Sequence, residues 1–230
     1  MKIGFIIADK DELSSIDFDS LNIKPLNSHY HGMPCVTFNK NENDFIIVLC
    51  GIGLSCAASA ASYLCADKVD VVINAGLSGS ISGLLVNDIF ISEMTAEHDA
   101  DLTPIGFEPG KRPDIPVFLK SSKALVEFFK KNIPNSKSGI SASGNGFIAS
   151  SSEKHRIKEQ FNAKCCDMEY SAIALVCNRE EMPCVSIRKI SDSADDVANV
   201  DYKSYDDLET RGLFDIVLSA LIKLTPADLD

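Results

Sequence analysis

Short runs of apolar residues, each closed by glycine or a polar turn, alternate along this chain with segments of helical period. Lys2–Ala8, Asp44–Cys50, Asp70–Ala75, Asp88–Met94, Lys137–Ser143 and Pro183–Ile190 read as strands. Several are apolar throughout, as strands are when both faces of their sheet are covered. Ser28–Lys40 reads as one further strand beside Asp44–Cys50. The pattern predicts helices over Leu54–Ala66, Ser121–Asn132, Glu153–Phe161, Ser171–Cys177 and Ser204–Leu224; Leu125, Phe128 and Phe129 form an apolar stripe on the second. Asp9–Leu13 turns toward a helix or loop. His98–Pro116, broken by Pro104, Gly106, Pro109, Gly110 and Pro113, reads as a long irregular connection. No repeat, low-complexity tract or linker interrupts the alternation, which predicts one α/β domain over residues 1–230.

Composition narrows the functional classes. A formal charge of −11 with no basic run argues against a nucleic-acid partner, whose phosphates need clustered Lys and Arg. Nothing approaches the ~18 consecutive apolar residues of a membrane span. The opening Met1–Ala8 run leads straight into Asp9, Lys10, Asp11 and Glu12 with no cleavage site, so it reads as a buried strand rather than a signal peptide. The eight cysteines lie mostly in apolar settings without a Cys-x-x-Cys pair, and the four histidines complete no zinc spacing. Reduced buried thiols are the expectation, which points to the cytoplasm.

The candidate chemistry centres on Cys165-Cys166-Asp167-Met168-Glu169-Tyr170, at the start of a nearly uncharged helix. Acids at a helix N-terminus are favoured by its free N–H groups, which suffices for Asp167. Glu169 asks for more, because the following apolar strand ends in Ser191-Asp192. The carboxyl ends of strands are where open α/β sheets bind ligands. Glu12, just after the first strand, adds a third carboxylate. Three acids on one crevice can divide general acid, general base and hydroxyl-binding work. Gly51-Ile-Gly53 lacks the third glycine and ribose-binding acid of a dinucleotide site, and no Gly-Lys-Ser/Thr phosphate loop is present. Asn74-Ala-Gly-Leu-Ser-Gly-Ser80 is either a ligand loop or a structural turn. His98-Asp99-Ala-Asp101 has too few ligands for a metal and reads as a loop anchor or partner contact.

Taken in order, Lys2-Ile-Gly4, Glu12, Gly51-Ile-Gly53, Asn74-Ala-Gly76 with Gly79, Asp88-Ile89, His98-Asp-Ala-Asp101, Gly144 with Phe147-Ile148, Asp167-Met-Glu169 and Arg188 with Ile190-Ser-Asp192 resemble the purine nucleoside phosphorylase/uridine phosphorylase superfamily. Within it the chain looks most like the 5′-methylthioadenosine/S-adenosylhomocysteine nucleosidases. The resemblance implies a single three-layer α/β/α domain around a central mixed, twisted sheet, acting on a small-molecule nucleoside as a homodimer with neither cofactor nor metal. It implies that Glu12 activates water and that Asp192 protonates N7 of the adenine leaving group. Glu169 holds the ribose 2′-hydroxyl, Met168 packs under the sugar, Phe147 stacks on the base, and the Ile148 backbone meets its edge. Ser191 and Arg188 support the acid and its neighbouring loop. Ile105 and Pro113 match positions that close the neighbouring subunit's alkylthio pocket.

The chain departs from that pattern at Leu77, where such nucleosidases place a hydroxyl residue and Ser78 is the next candidate. Asn145 stands in place of an acid, and Lys189 in place of a small residue. Other readings stay open at this level: a phosphate-dependent phosphorylase, a non-catalytic nucleoside-binding protein of the same fold and, within hydrolysis, 6-amino-6-deoxyfutalosine as a further substrate. The absence of arginine from Ile7-Ala-Asp-Lys-Asp11 favours water over phosphate as the attacking group.

Overall fold

The computed structural model describes residues 1–205 and 207–229, the side chains of 207–211 excepted. Strands β1 (Lys2–Ile7), β4 (Asn43–Leu49), β5 (Val71–Ser80) and β10 (Cys184–Asp192) run parallel, in the order β4-β1-β5-β10. Their side chains alternate between the two faces. Phe5, Ile7, Ile47, Ile73 and Ile187 pack against Leu125 and Phe129 of α3 (Lys123–Asn132) and Phe214, Val217 and Leu221 of α7 (Asp207–Leu221). Ile6, Val48 and Val72 face Ala57, Ala61 and Leu64 of α2 (Leu54–Ala66) and Ile173 and Cys177 of α5 (Tyr170–Arg179). The result is a sheet between two helical layers.

β2 (Leu26–Tyr30) and β3 (Met33–Lys40) extend one edge as antiparallel strands. The single strand expected over Ser28–Lys40 is thus a hairpin. His31 and Gly32, both at positive φ (49° and 84°), make its two-residue turn.

At the other edge the sheet turns back on itself. β10 pairs with β5 on one side and antiparallel with β6 (Ile89–Glu97) on the other. β6 continues through β8 (Lys137–Ser143) and β9 (Cys165–Asp167) back to β5, closing a ring of strands; β7 (Leu119–Lys120) pairs outside it with β6. The closure needs β5 and β10 to run further than their apolar cores suggest. Asn74–Ser80, read from sequence as ligand loop or turn, is strand throughout, and Ser191-Asp192 lies within β10 rather than after it.

Two short helices flank the closed end, α1 (Lys10–Ser14) and α6 (Ala198–Ser204), and α4 (Ser151–Phe161) follows β8. The expected helix Ser204–Leu224 is observed as α7, Asp207–Leu221; Ser204 instead ends α6, which precedes that span, and residue 206 lies outside the described residues. No helix among the described residues is long and apolar enough to cross a membrane.

Candidate active site

At the closed end of the ring lies a cavity of about 400 Å³, within the size range of small-ligand pockets. Each acidic side chain in it is placed by a different local device.

Glu12 is turned inward by a capping box. Asp9 Oδ1 accepts from Asp11 N (2.7 Å) while Glu12 Oε2 accepts from Asp9 N (3.3 Å). The other Glu12 oxygen accepts from Leu77 N on β5 (3.0 Å). Burial pushes the carboxyl up to about 7, against the opposing pull of the Leu77 N–H and the Arg188 guanidinium.

Asp167 and Glu169 share the start of α5 and do separate jobs. Asp167 Oδ1 accepts from Glu169 N (2.9 Å) and Tyr170 N (2.8 Å), the capping role that its position suggested. Glu169 is thereby released from capping. Its Oε1 accepts from Gly53 N (3.2 Å) at the start of α2, its Oε2 lies 3.5 Å from Arg188 Nη1, and burial raises its carboxyl. The Gly51-Ile-Gly53 turn thus delivers a backbone donor to this acid.

Arg188, 2% exposed, is the common partner. It donates to Asn74 Oδ1 (2.6 Å) and Ser186 Oγ (2.9 Å), and Asp167 Oδ1 lies 3.2 Å away. A Cβ on Gly76 would stand 2.9 Å from both Arg188 Nη1 and Glu12 Oε1, so glycine there leaves room for both side-chain ends beside β5. Asp192 is held by Ser191 Oγ (2.8 Å) and Ala194 N (2.8 Å). Burial raises its carboxyl, with the nearby Asp201 and Asp195 charges adding to the shift. A Cβ on Gly79 would come within 2.9 Å of Asp192 Oδ1.

Glu12, Ser78, Phe147, Ile148, Met168, Glu169, Arg188, Ser191 and Asp192 all line this one cavity. Ile105 and Pro113 do not: both are exposed on the connection between β6 and β7. Phe147 is half exposed over the cavity, its ring edge-on to Tyr202 at 5.5 Å. The His98–Asp101 motif is a loop anchor. Asp99 Oδ2 accepts from Asn145 N (2.7 Å), and Asn145 Oδ1 accepts from Leu54 N (3.1 Å), tying the Phe147 loop to α2. Asn145 is thus a helix cap.

Sequence reasoning missed Asp9, Cys166, Asn199, Tyr202 and Lys203 as lining residues. The Asp9-x-x-Glu12 capping spacing was a usable signal for the first. The residues of α6 carried none, because its apolar positions do not follow a buried stripe.

The phosphorylase superfamily model matches residues 2–222. A 5′-methylthioadenosine/S-adenosylhomocysteine nucleosidase of Haemophilus influenzae is 35% identical over 191 residues, 80% of this chain and 83% of that protein. The Staphylococcus aureus protein of that name is 34% identical over 171 residues, 71% and 75% of the two chains. Among solved structures, the Helicobacter pylori nucleosidase of the same name, bound to butyl-thio-DADMe-Immucillin-A, superposes with a TM-score of 0.92 at 25% identity, covering 97% of this chain and 99% of that one.

Proposed function

The chain belongs to the phosphorylase superfamily, and from that premise we propose that it hydrolyses the N-ribosidic bond of 5′-methylthioadenosine and S-adenosylhomocysteine, releasing adenine. The observation that carries this reading is the convergence of Glu12, Glu169 and Asp192 on one cavity, each with a raised carboxyl. In it the C1′–N9 bond breaks as water oxygen bonds to C1′. Glu12 takes the proton from that water, and a protonated Asp192 delivers its own to N7, neutralising the departing base. Glu169 accepts from the ribose 2′-hydroxyl, Met168 lies beneath the sugar, and Phe147 stacks on the adenine whose edge meets the Ile148 backbone. Ser191 steadies Asp192, and Ser78 faces the sugar side. A raised pKa favours the protonated form of Asp192 that the step requires, and a value of about 7 lets Glu12 accept a proton at neutral pH.

Charge selects water over phosphate. With Asp192 protonated, the acids Asp9, Glu12, Asp167 and Glu169 still line the cavity against two cations, Arg188 and Lys203, and Arg188 is already paired. A phosphate dianion meets net repulsion there. The test is adenine release from 5′-methylthioadenosine, followed by absorbance with and without inorganic phosphate. Release independent of phosphate is expected. Strict phosphate dependence would make the chain a phosphorylase, and binding without release would make it a nucleoside-binding protein. The reading also includes a homodimer, with Ile105 and Pro113 serving the neighbouring subunit, and a cytoplasmic location, which the eight free thiols support.

A further inference from the structure

Helix α6 borders the cavity with polar side chains. Asn199, Tyr202 and Lys203, at helical spacings of three and four, line the cavity. Val200 and the N-cap residue Val197 face outward, 62% and 55% exposed. The helix packs down through the buried Ala198, and its exposed Lys203 borders the cavity.

Two cavity-lining charges have no ion-pair partner among the described residues. Lys203 makes no ion pair or hydrogen bond with another described residue, whereas Arg188 is held by Asn74, Ser186, Asp167 and Glu169. Asp9 caps α1, its carboxylate accepting from Asp11 N and from the Glu12 backbone N–H, but no cation among the described residues pairs with it. With the base between Phe147 and Asp192 and the sugar over Met168 and Glu169, the wall left for the 5′-substituent is Ala8, Asp9, Ile52 and α6. That wall carries one anion and one cation.

We infer that Lys203 and Asp9 read a zwitterionic amino-acid tail, Lys203 taking its carboxylate and Asp9 its ammonium, so that the site favours S-adenosylhomocysteine over 5′-methylthioadenosine. The inference rests on the nucleosidase reading and deepens it. A purely anionic tail meets the acidic lining, and a purely cationic one meets Lys203; the paired charges satisfy both. An uncharged methylthio tail uses neither.

The two nucleosides share adenine, ribose and thioether, so the ratio of their kcat/KM values isolates the tail. Adenine release is measured below saturation for the wild type, Lys203→Ala, Lys203→Glu, Lys203→Arg and Asp9→Asn, with circular dichroism confirming the fold of each. The S-adenosylhomocysteine to methylthioadenosine ratio falls about fivefold in Lys203→Ala, as loss of one exposed charge contact predicts. It falls further in Lys203→Glu, drops in Asp9→Asn, and returns in Lys203→Arg. Added salt lowers the wild-type ratio and leaves that of Lys203→Ala flat. A ratio within twofold of wild type in both Lys203→Ala and Lys203→Glu overturns the inference and leaves the nucleosidase reading standing. Release of adenine from neither nucleoside by the wild type overturns both.

Discussion

At the scale of single residues, the site is governed by how carboxylates are buried. Glu12 is moved from an ordinary 4.5 to about 7, chiefly by burial. Its folded form therefore holds a proton that the unfolded chain has released, and stability falls as pH rises between those two values. The deficit is complete above the upper one and is on the order of 3 kcal/mol. Glu12→Gln keeps an acceptor for the Leu77 N–H and removes the titration. Its unfolding free energy, measured by urea melts, is expected to exceed that of the wild type by more at pH 8 than at pH 5. A pH-independent gap would show that Glu12 does not titrate in this window. If Glu12 is the base proposed above, the same ionisation is expected to give kcat/KM an ascending limb near pH 7. Asp192→Asn can still accept from Ala194 N and donate its amide to Ser191 Oγ but has no acidic proton, so kcat should drop by about 10²–10⁴ while nucleoside binding persists. Retained turnover in that variant would take the acid role from Asp192. These carboxylates were readable from sequence because isolated acids at the ends of apolar runs have few structural uses. Lys203 and Tyr202 were not, because an exposed polar stretch says nothing of the hollow beneath it.

Among the elements, the closed ring of strands does the positioning, and two small residues make it possible. β5 read from sequence as ending at Ala75, since glycines are rare inside strands. In the fold it continues to Ser80, because Gly76 and Gly79 are the points where charged side chains from α1 and β10 cross it. The feature that hid the strand is the feature that builds the site. Likewise, the β2–β3 turn escaped notice because His31 takes a positive-φ position where Asn or Asp is the usual signal. The apolar strands and α2 were legible, since alternation and burial act locally. Ring closure was not, because it depends on pairing between β10 and β6, far apart in sequence. Gly79→Ala places a methyl 2.8 Å from Ala194 Cβ and 2.9 Å from Asp192 Oδ1. Overpacking of that kind destabilises by ~1–3 kcal/mol. The displaced carboxylate should also lower kcat at least as strongly as it lowers Tm. A variant with wild-type kcat and only a reduced Tm would show that the Asp192 geometry tolerates the shift.

For the whole molecule, the relation that matters is between the cavity and the β6–β7 connection. Ile105 is 71% exposed there, beside the exposed Pro104 and Pro113, yet none of the three lines the cavity of its own chain. A large apolar side chain presented on a proline-braced loop is poorly explained by the isolated chain. The proposed homodimer supplies the explanation, with each Ile105 closing the apolar, sulfur-proximal part of the other subunit's 5′-wall. Two chains that each carry a formal charge of −11 repel one another, so association should strengthen as salt screens that repulsion. Sedimentation equilibrium is expected to give twice the chain mass at moderate ionic strength and partial dissociation at low ionic strength. Ile105→Asp adds like charge at the contact and removes the apolar cover, so it should both weaken the dimer and raise KM for methylthioadenosine. A fully dimeric Ile105→Asp protein with unchanged KM would place the interface elsewhere. A monomeric variant with unchanged KM would show that the 5′-wall is complete within one chain.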